Sequence, residues 1–72
     1  MKEITASMAG TVLNILVSTG DEVSEGQEII VLESMKMEIP VESTFAGKIS
    51  ELKVGIGDFV NEGDTLAVID RG

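Results

Sequence analysis

Few side chains in this 72-residue chain could do chemistry. There is no Cys and no His. Thiolate nucleophiles, thiolate metal sites, and the commonest general base and metal ligand are therefore missing. Trp and Tyr are absent, and only two Phe are present, too few for a surface that stacks nucleic-acid bases. Carboxylates and five cations remain. The acids Asp21, Glu22, Asp58, Glu62 and Asp64 raise carboxylate catalysis or calcium binding. They do not match an EF-hand loop, which needs oxygen ligands at fixed odd spacings around a central Gly. Asp21 and Asp58 each follow a glycine, and turn formation explains them better. The last candidate is one amine. Lys36 stands between two methionines in Ser34-Met35-Lys36-Met37. A lysine amine must lose its proton before it attacks an acyl group, and nothing in the chain offers a base beside this one.

The elements that would position this lysine come from an internal repeat. Residues 8–33 align with residues 45–70 at a constant offset of 37, without a gap, and nine of the 26 pairs are identical. The identities include Ala9/Ala46, Gly10/Gly47, Gly20/Gly57, Asp21/Asp58, Val23/Val60 and Gly26/Gly63. Other pairs exchange one aliphatic residue for another, as in Val12/Ile49 and Leu32/Ile69. Matches at turns and apolar positions mark a structural repeat. Two copies are too few for a solenoid, so the halves are expected to complete one core around a pseudo-two-fold axis.

Each half reads as β. Glu3–Ala6 suits a first strand, and 11–17 and 48–54 are rich in aliphatic residues with partial alternation. The runs 28–32 and 65–69 are almost continuously apolar, as strands at the centre of a sheet are. Glycines at 10, 20, 26, 47, 57 and 63 are expected in tight turns, where positive φ is needed. Pro40 cannot donate to a ladder, so its strand should lie at an edge or end there. No ten-residue stretch has helical periodicity without a glycine. The expectation is all-β: a sandwich of two antiparallel sheets forming one domain over 1–72, with Phe45 and Phe59 in the core near the junction of the halves.

Composition limits the partners. The net charge is −8, from 13 acidic and five basic residues. Such a chain is repelled by phosphate backbones, so neither nucleic acid nor an anionic membrane is expected to bind. The charge serves solubility and is compatible with a basic docking partner. The longest apolar run, 29–32, is far too short to cross a membrane. The first ten residues lack the apolar core of a signal peptide, so a cytoplasmic location is expected. No long exposed apolar strand demands a dimer, and a monomer is expected. At 72 residues the total stability is on the order of 4–10 kcal/mol.

Residues 34–44 join the copies. At the 37-residue offset, Lys36 would match a position 73 that does not exist. The second copy therefore ends where the first turns, which places 34–37 at a hairpin tip. Two readings are open there. Met35 and Met37 could fold back onto the core, leaving Lys36 an ordinary turn residue. Alternatively, all three are displayed, against the usual burial of large apolar side chains.

The string ESMKME, residues 33–38, resembles the attachment signature of biotin carboxyl carrier domains. The likeness extends over essentially the whole chain, including the MAG and FAG strand starts and the paired Gly-Asp and Glu-Gly turns. It implies a flattened barrel-sandwich of two four-stranded antiparallel sheets, with the chain ends together, opposite the lysine. It also implies that Lys36 carries biotin as an amide, added by a biotin protein ligase that supplies the activation. Biotin would then shuttle a carboxyl group from a biotin carboxylase to a carboxyltransferase, so the protein is a coenzyme carrier and not an enzyme. Met35 and Met37 would belong to the surface read by the ligase or the carboxylase sites, and in that family such methionines matter more for carboxyl transfer. Glu33 and Glu38 would either bias ligase recognition or hold the hairpin. The constant offset leaves no room for the protruding thumb of some bacterial carriers. No Pro/Ala-rich linker precedes the domain, so the chain resembles either a minimal attachment protein or the carrier domain of a larger carboxylase.

Lipoyl domains share this fold but typically carry Asp-Lys-Ala at the turn, so lipoate on Lys36 is the nearest alternative. A docking module without coenzyme is another, although it would need neither Lys36 nor its methionine neighbours.

Overall fold

The computed structural model describes residues 1–71. Eight strands carry the chain: β1 (Lys2–Thr5), β2 (Gly10–Ile15), β3 (Glu22–Val23), β4 (Glu28–Ser34), β5 (Met37–Glu42), β6 (Gly47–Leu52), β7 (Phe59–Val60) and β8 (Thr65–Asp70). They form two four-stranded sheets, ordered β1-β8-β6-β3 and β5-β4-β2-β7. Adding four to each label of the first sheet, and wrapping after β8, gives the second. This is the pseudo-two-fold that the repeat implies. Every pairing is antiparallel, and no helix occurs among the described residues.

The apolar runs lie where continuous hydrophobicity demands. β4 and β8 are inner strands, and Ile29, Ile30 and Leu32 of one, with Leu66, Ala67 and Ile69 of the other, have no exposed surface. Full burial of each large aliphatic side chain stabilises by about 1.5–3 kcal/mol. The remaining core follows the repeat, with Ile4 matching Val41, Val12 matching Ile49, and Val23 matching Val60. Pro40 lies in β5, an edge strand, as its missing donor requires.

β2 and β6 are shorter than their aliphatic stretches. Each contains a bulge, between Val12 and Asn14 in one and Ile49 and Glu51 in the other. The extra residue shifts the inward-facing set, so Val12 and Ile15, three apart, both meet the core. That shift accounts for the partial alternation.

Phe59 departs from expectation. It is 65% exposed, whereas Phe45 is half-buried against the core. Side chains alternate along a strand, and in β7 it is Val60 that points inward. Phe59 is therefore a surface residue, like its counterpart Glu22 in β3.

Turns of one half are fastened to strands of the other. The Gly20 N–H donates to the Ile49 carbonyl, and the Gly57 N–H to the Val12 carbonyl, both at 2.8 Å. In return Ile49 N–H donates to the Asp21 carbonyl and Val12 N–H to the Asp58 carbonyl, again at 2.8 Å. The aspartate side chains close the same turns. Asp21 Oδ2 accepts from the Ser18 N–H at 2.9 Å, and Asp58 Oδ2 from the Gly55 N–H at 2.8 Å.

Gly20, Gly26, Gly57 and Gly63 have the expected positive φ, but Gly10 and Gly47 do not. These two are needed for a different reason. A Cβ on Gly47 would lie 2.6 Å from the Asp70 carbonyl oxygen, and one on Gly10 would lie 2.8 Å from that of Glu33. Gly47→Ala is accordingly expected to cost about 1–3 kcal/mol through overpacking against backbone. A Cβ on Gly55 would meet only Asp58 Oδ2, at an ordinary 3.8 Å, and Gly55→Ser copies Ser18, so it should change stability by no more than about 0.5 kcal/mol. Urea denaturation of the two variants measures both.

Candidate functional site at the β4–β5 turn

β4 and β5 pair to the end, with Ser34 opposite Met37. That leaves Met35 and Lys36 as a two-residue loop. Their φ angles are 53° and 66°, the only positive values at non-glycine residues among those described. Positive φ at both central residues is the signature of a type I′ turn, which matches the strand twist and usually carries Asn-Gly. Here two long side chains occupy left-handed backbone, at a cost of roughly 1–2 kcal/mol each. The hairpin ladder on either side holds them there.

The same geometry forces the side chains outward. Met35 is 91% exposed and Met37 64%, so the alternative in which they fold onto the core does not hold. Lys36 is exposed and makes no hydrogen bond or ion pair among the described residues. β1 runs away from the chain ends, where Lys2 pairs with Ile69, and four residues later β2 begins beside the turn. The lysine and the chain ends thus lie at opposite ends of a molecule 36 Å long.

One step below the turn, register pairing lays four residues across the outer face of the sheet. Glu38 opposes Glu33, Glu33 opposes Thr11, and Thr11 opposes Phe59. The two carboxylates are exposed like charges on directly opposed positions, an arrangement that destabilises a strand pair. An open groove lies beside this row. It is lined by Ala9, Gly10 and Thr11 at the start of β2, by Glu33 through Lys36, and by Phe59. The bare Gly10 lets β2 run close under the Glu33 carbonyl.

The structure places Glu33, Met35, Lys36, Met37 and Glu38, the residues singled out in the sequence, together at this tip. It adds Thr11 and Phe59, which the sequence reading left out of the site. The signal for Phe59 lay in the repeat, where an aromatic residue in one copy faces an acid in the other. The acids of the turns stay apart from this site. Asp21 and Asp58 close turns, and Asp64 Oδ2 accepts from the Asn61 N–H at 2.9 Å.

The small sandwich thus displays one lysine amine on a left-handed turn, with no hydrogen bond or ion pair to it among the described residues. Residues 2–69 match the biotin/lipoyl family model described as "biotin-requiring enzyme", and the chain belongs to that family. It is 48% identical over 38 residues to the biotin/lipoyl attachment protein of Bacillus subtilis, covering 53% of this chain and 52% of the relative. It is 61% identical over 36 residues to the methylmalonyl-CoA carboxyltransferase 1.3S subunit of Propionibacterium freudenreichii, covering 50% of this chain and 29% of that one. The alignment thus spans about half the length of the first relative and less of the second. Among solved structures, the urea carboxylase of Kluyveromyces lactis superposes with a TM-score of 0.90 at 32% identity, over 96% of this chain and 6% of that enzyme.

The strain at the turn is measurable. Replacing Met35 with Asn and Lys36 with Gly together should stabilise the fold by roughly 1–3 kcal/mol, because these residues accept left-handed backbone cheaply. A higher urea midpoint for the double variant is the expected result.

Proposed function

We propose that the protein is a biotin carboxyl carrier whose coenzyme is joined by an amide to Nζ of Lys36. The observation that carries this reading is the lysine itself, held in left-handed backbone at a two-residue tip, between two exposed methionines, in a chain of the biotin-requiring family. An unpaired amine clear of the surface suits acylation by a separate enzyme. The amide forms between Nζ and the carboxyl carbon of biotin as the amine loses a proton and the activating group departs. No carboxylate of this chain is paired with the Lys36 amine, so the ligase takes that proton. Once attached, biotin supplies a ring nitrogen that carries a carboxyl group between active sites.

The residues around Lys36 have separable tasks. The turn fixes the position and direction of the anchor, while the four-carbon stem gives reach. Met35 and Met37 offer soft, adaptable contacts to whatever enzyme covers the tip. Glu33 and Glu38 oppose like charges across the hairpin, which weakens it. Their role is therefore recognition by the ligase and not support of the turn. The partners are a biotin ligase and the carboxylase and carboxyltransferase sites between which a tethered coenzyme moves at high effective concentration. The relatives named for a carboxyltransferase subunit and a urea carboxylase support partners of that class. The name of the Bacillus relative also supports testing lipoate on the same lysine.

Intact mass and peptide mapping after co-expression with a biotin ligase should give one biotin increment, on Lys36. Lys36→Arg should fold as before and gain none; full biotinylation of that variant would overturn the assignment. A lipoyl increment alone, after co-expression with a lipoate ligase, would replace biotin with lipoate. In a separate measurement, Glu33→Gln with Glu38→Gln should raise stability by about 0.2–1 kcal/mol while slowing biotinylation. An unchanged biotinylation rate would remove the two acids from the recognition surface.

A further inference from the structure

The repeat supplies an internal control for every exposed residue. Where both copies keep a residue, the fold accounts for it. Where one copy carries a large apolar residue and the other a charge, both at exposed positions, the fold does not require the apolar one. Phe59 is such a position, since its counterpart Glu22 occupies the matching strand and is also exposed. The chain has only two aromatic residues, and the other, Phe45, lies by the chain ends with Lys2 and Arg71 over its ring. Phe59 instead lines the groove that Lys36 also lines.

We propose that this groove is a resting site for the biotin ring system tethered to Lys36, with the Phe59 ring as its apolar wall. The inference rests on the attachment proposed above. Its geometry is that of a short tether: Phe59 stands two strands away from Glu33, on the order of 10 Å. An acylated lysine arm spans that distance. The groove also fits the chemistry of the ring. Small residues, Ala9 and Gly10, leave its floor open. Phe59 offers a face to the thioether side. Thr11 and Glu33, paired with each other in register, put a hydroxyl and a carboxylate within the groove for the ureido group. Each of these contacts is weak. The tether makes them count, because the ring is never far from the groove.

Fluorine NMR tests this on the full chain, labelled with 4-fluorophenylalanine. Two resonances result, and Phe59→Leu assigns them. Phe45, at the far end, serves as the control. On enzymatic biotinylation, with one increment on Lys36 verified by mass, the Phe59 resonance should shift and the Phe45 resonance should stay. Phe59→Glu, which copies the other half of the repeat, should speed capture of the biotinylated chain by avidin. A singly biotinylated chain with an unmoved Phe59 resonance overturns the resting site while leaving the carrier reading intact. Equal shifts at both Phe residues would report a general change of the fold and overturn it too. A chain that the ligase leaves unmodified would overturn the attachment at Lys36, and this inference with it.

Discussion

Neither half of this chain owns a sheet. β1 from the first half pairs with β8 of the second, and β7 from the second half pairs with β2 of the first. The Gly-Asp turns complete the exchange, each giving and accepting backbone hydrogen bonds on a strand of the other copy. A four-strand half alone would leave these groups unpaired and expose the inner faces of β4 and β8, so the two halves stand or fall together. This interlocking closes an aliphatic core with neither a disulfide nor any Trp or Tyr. Gly10 and Gly47 serve the packing within each copy, where the strand passes too close to the backbone carbonyl of Glu33 or Asp70 for a Cβ.

The interlock decides where a functional residue can be placed. One end of the sandwich is occupied by the chain ends, whereas the equivalent place in the other sheet is bridged by a turn. That turn lies outside the core, with Met35, Lys36 and Met37 all exposed. It is also held on both sides by the longest unbroken register in the fold, from the Ile30–Val41 pair to the Ser34–Met37 pair. Left-handed backbone at Met35 and Lys36 and facing carboxylates at Glu33 and Glu38 are both unfavourable locally. They persist because the ladder beneath them is secure. Strain and repulsion thus fall together at one tip of the fold, the tip that carries the proposed attachment lysine.

Much of this could be read from the residues alone. The 37-residue offset already contained the two-fold, the inner strands and the exposed tip, since a period imposed on both copies must be satisfied by one geometry. Pro40 at an edge and the aspartates at the turns followed from elementary chemistry. Other features were hidden for physical reasons. β3 and β7 are two residues long, too short for alternation to register. The bulges in β2 and β6 shift the inward-facing set, blurring the pattern that reveals strands. Phe59 was misplaced because hydrophobicity alone says core. Only the register of β7, with Val60 inward, turns it toward water.

That misplacement shows how a duplicated fold separates two kinds of constraint. Phe45 matches Met8, and of these two large apolar residues Phe45 packs against the core. Phe59 matches Glu22, and packing accounts for neither, since both point to solvent. An exposed benzyl group in an acidic chain gains nothing for the core. It lies beside the turn that joins the two copies, where the attachment site is proposed. Differences between the copies therefore carry the information that identities cannot. The identities describe how the sandwich closes, and the departures at Lys36 and Phe59 are what the proposed attachment and resting sites would account for.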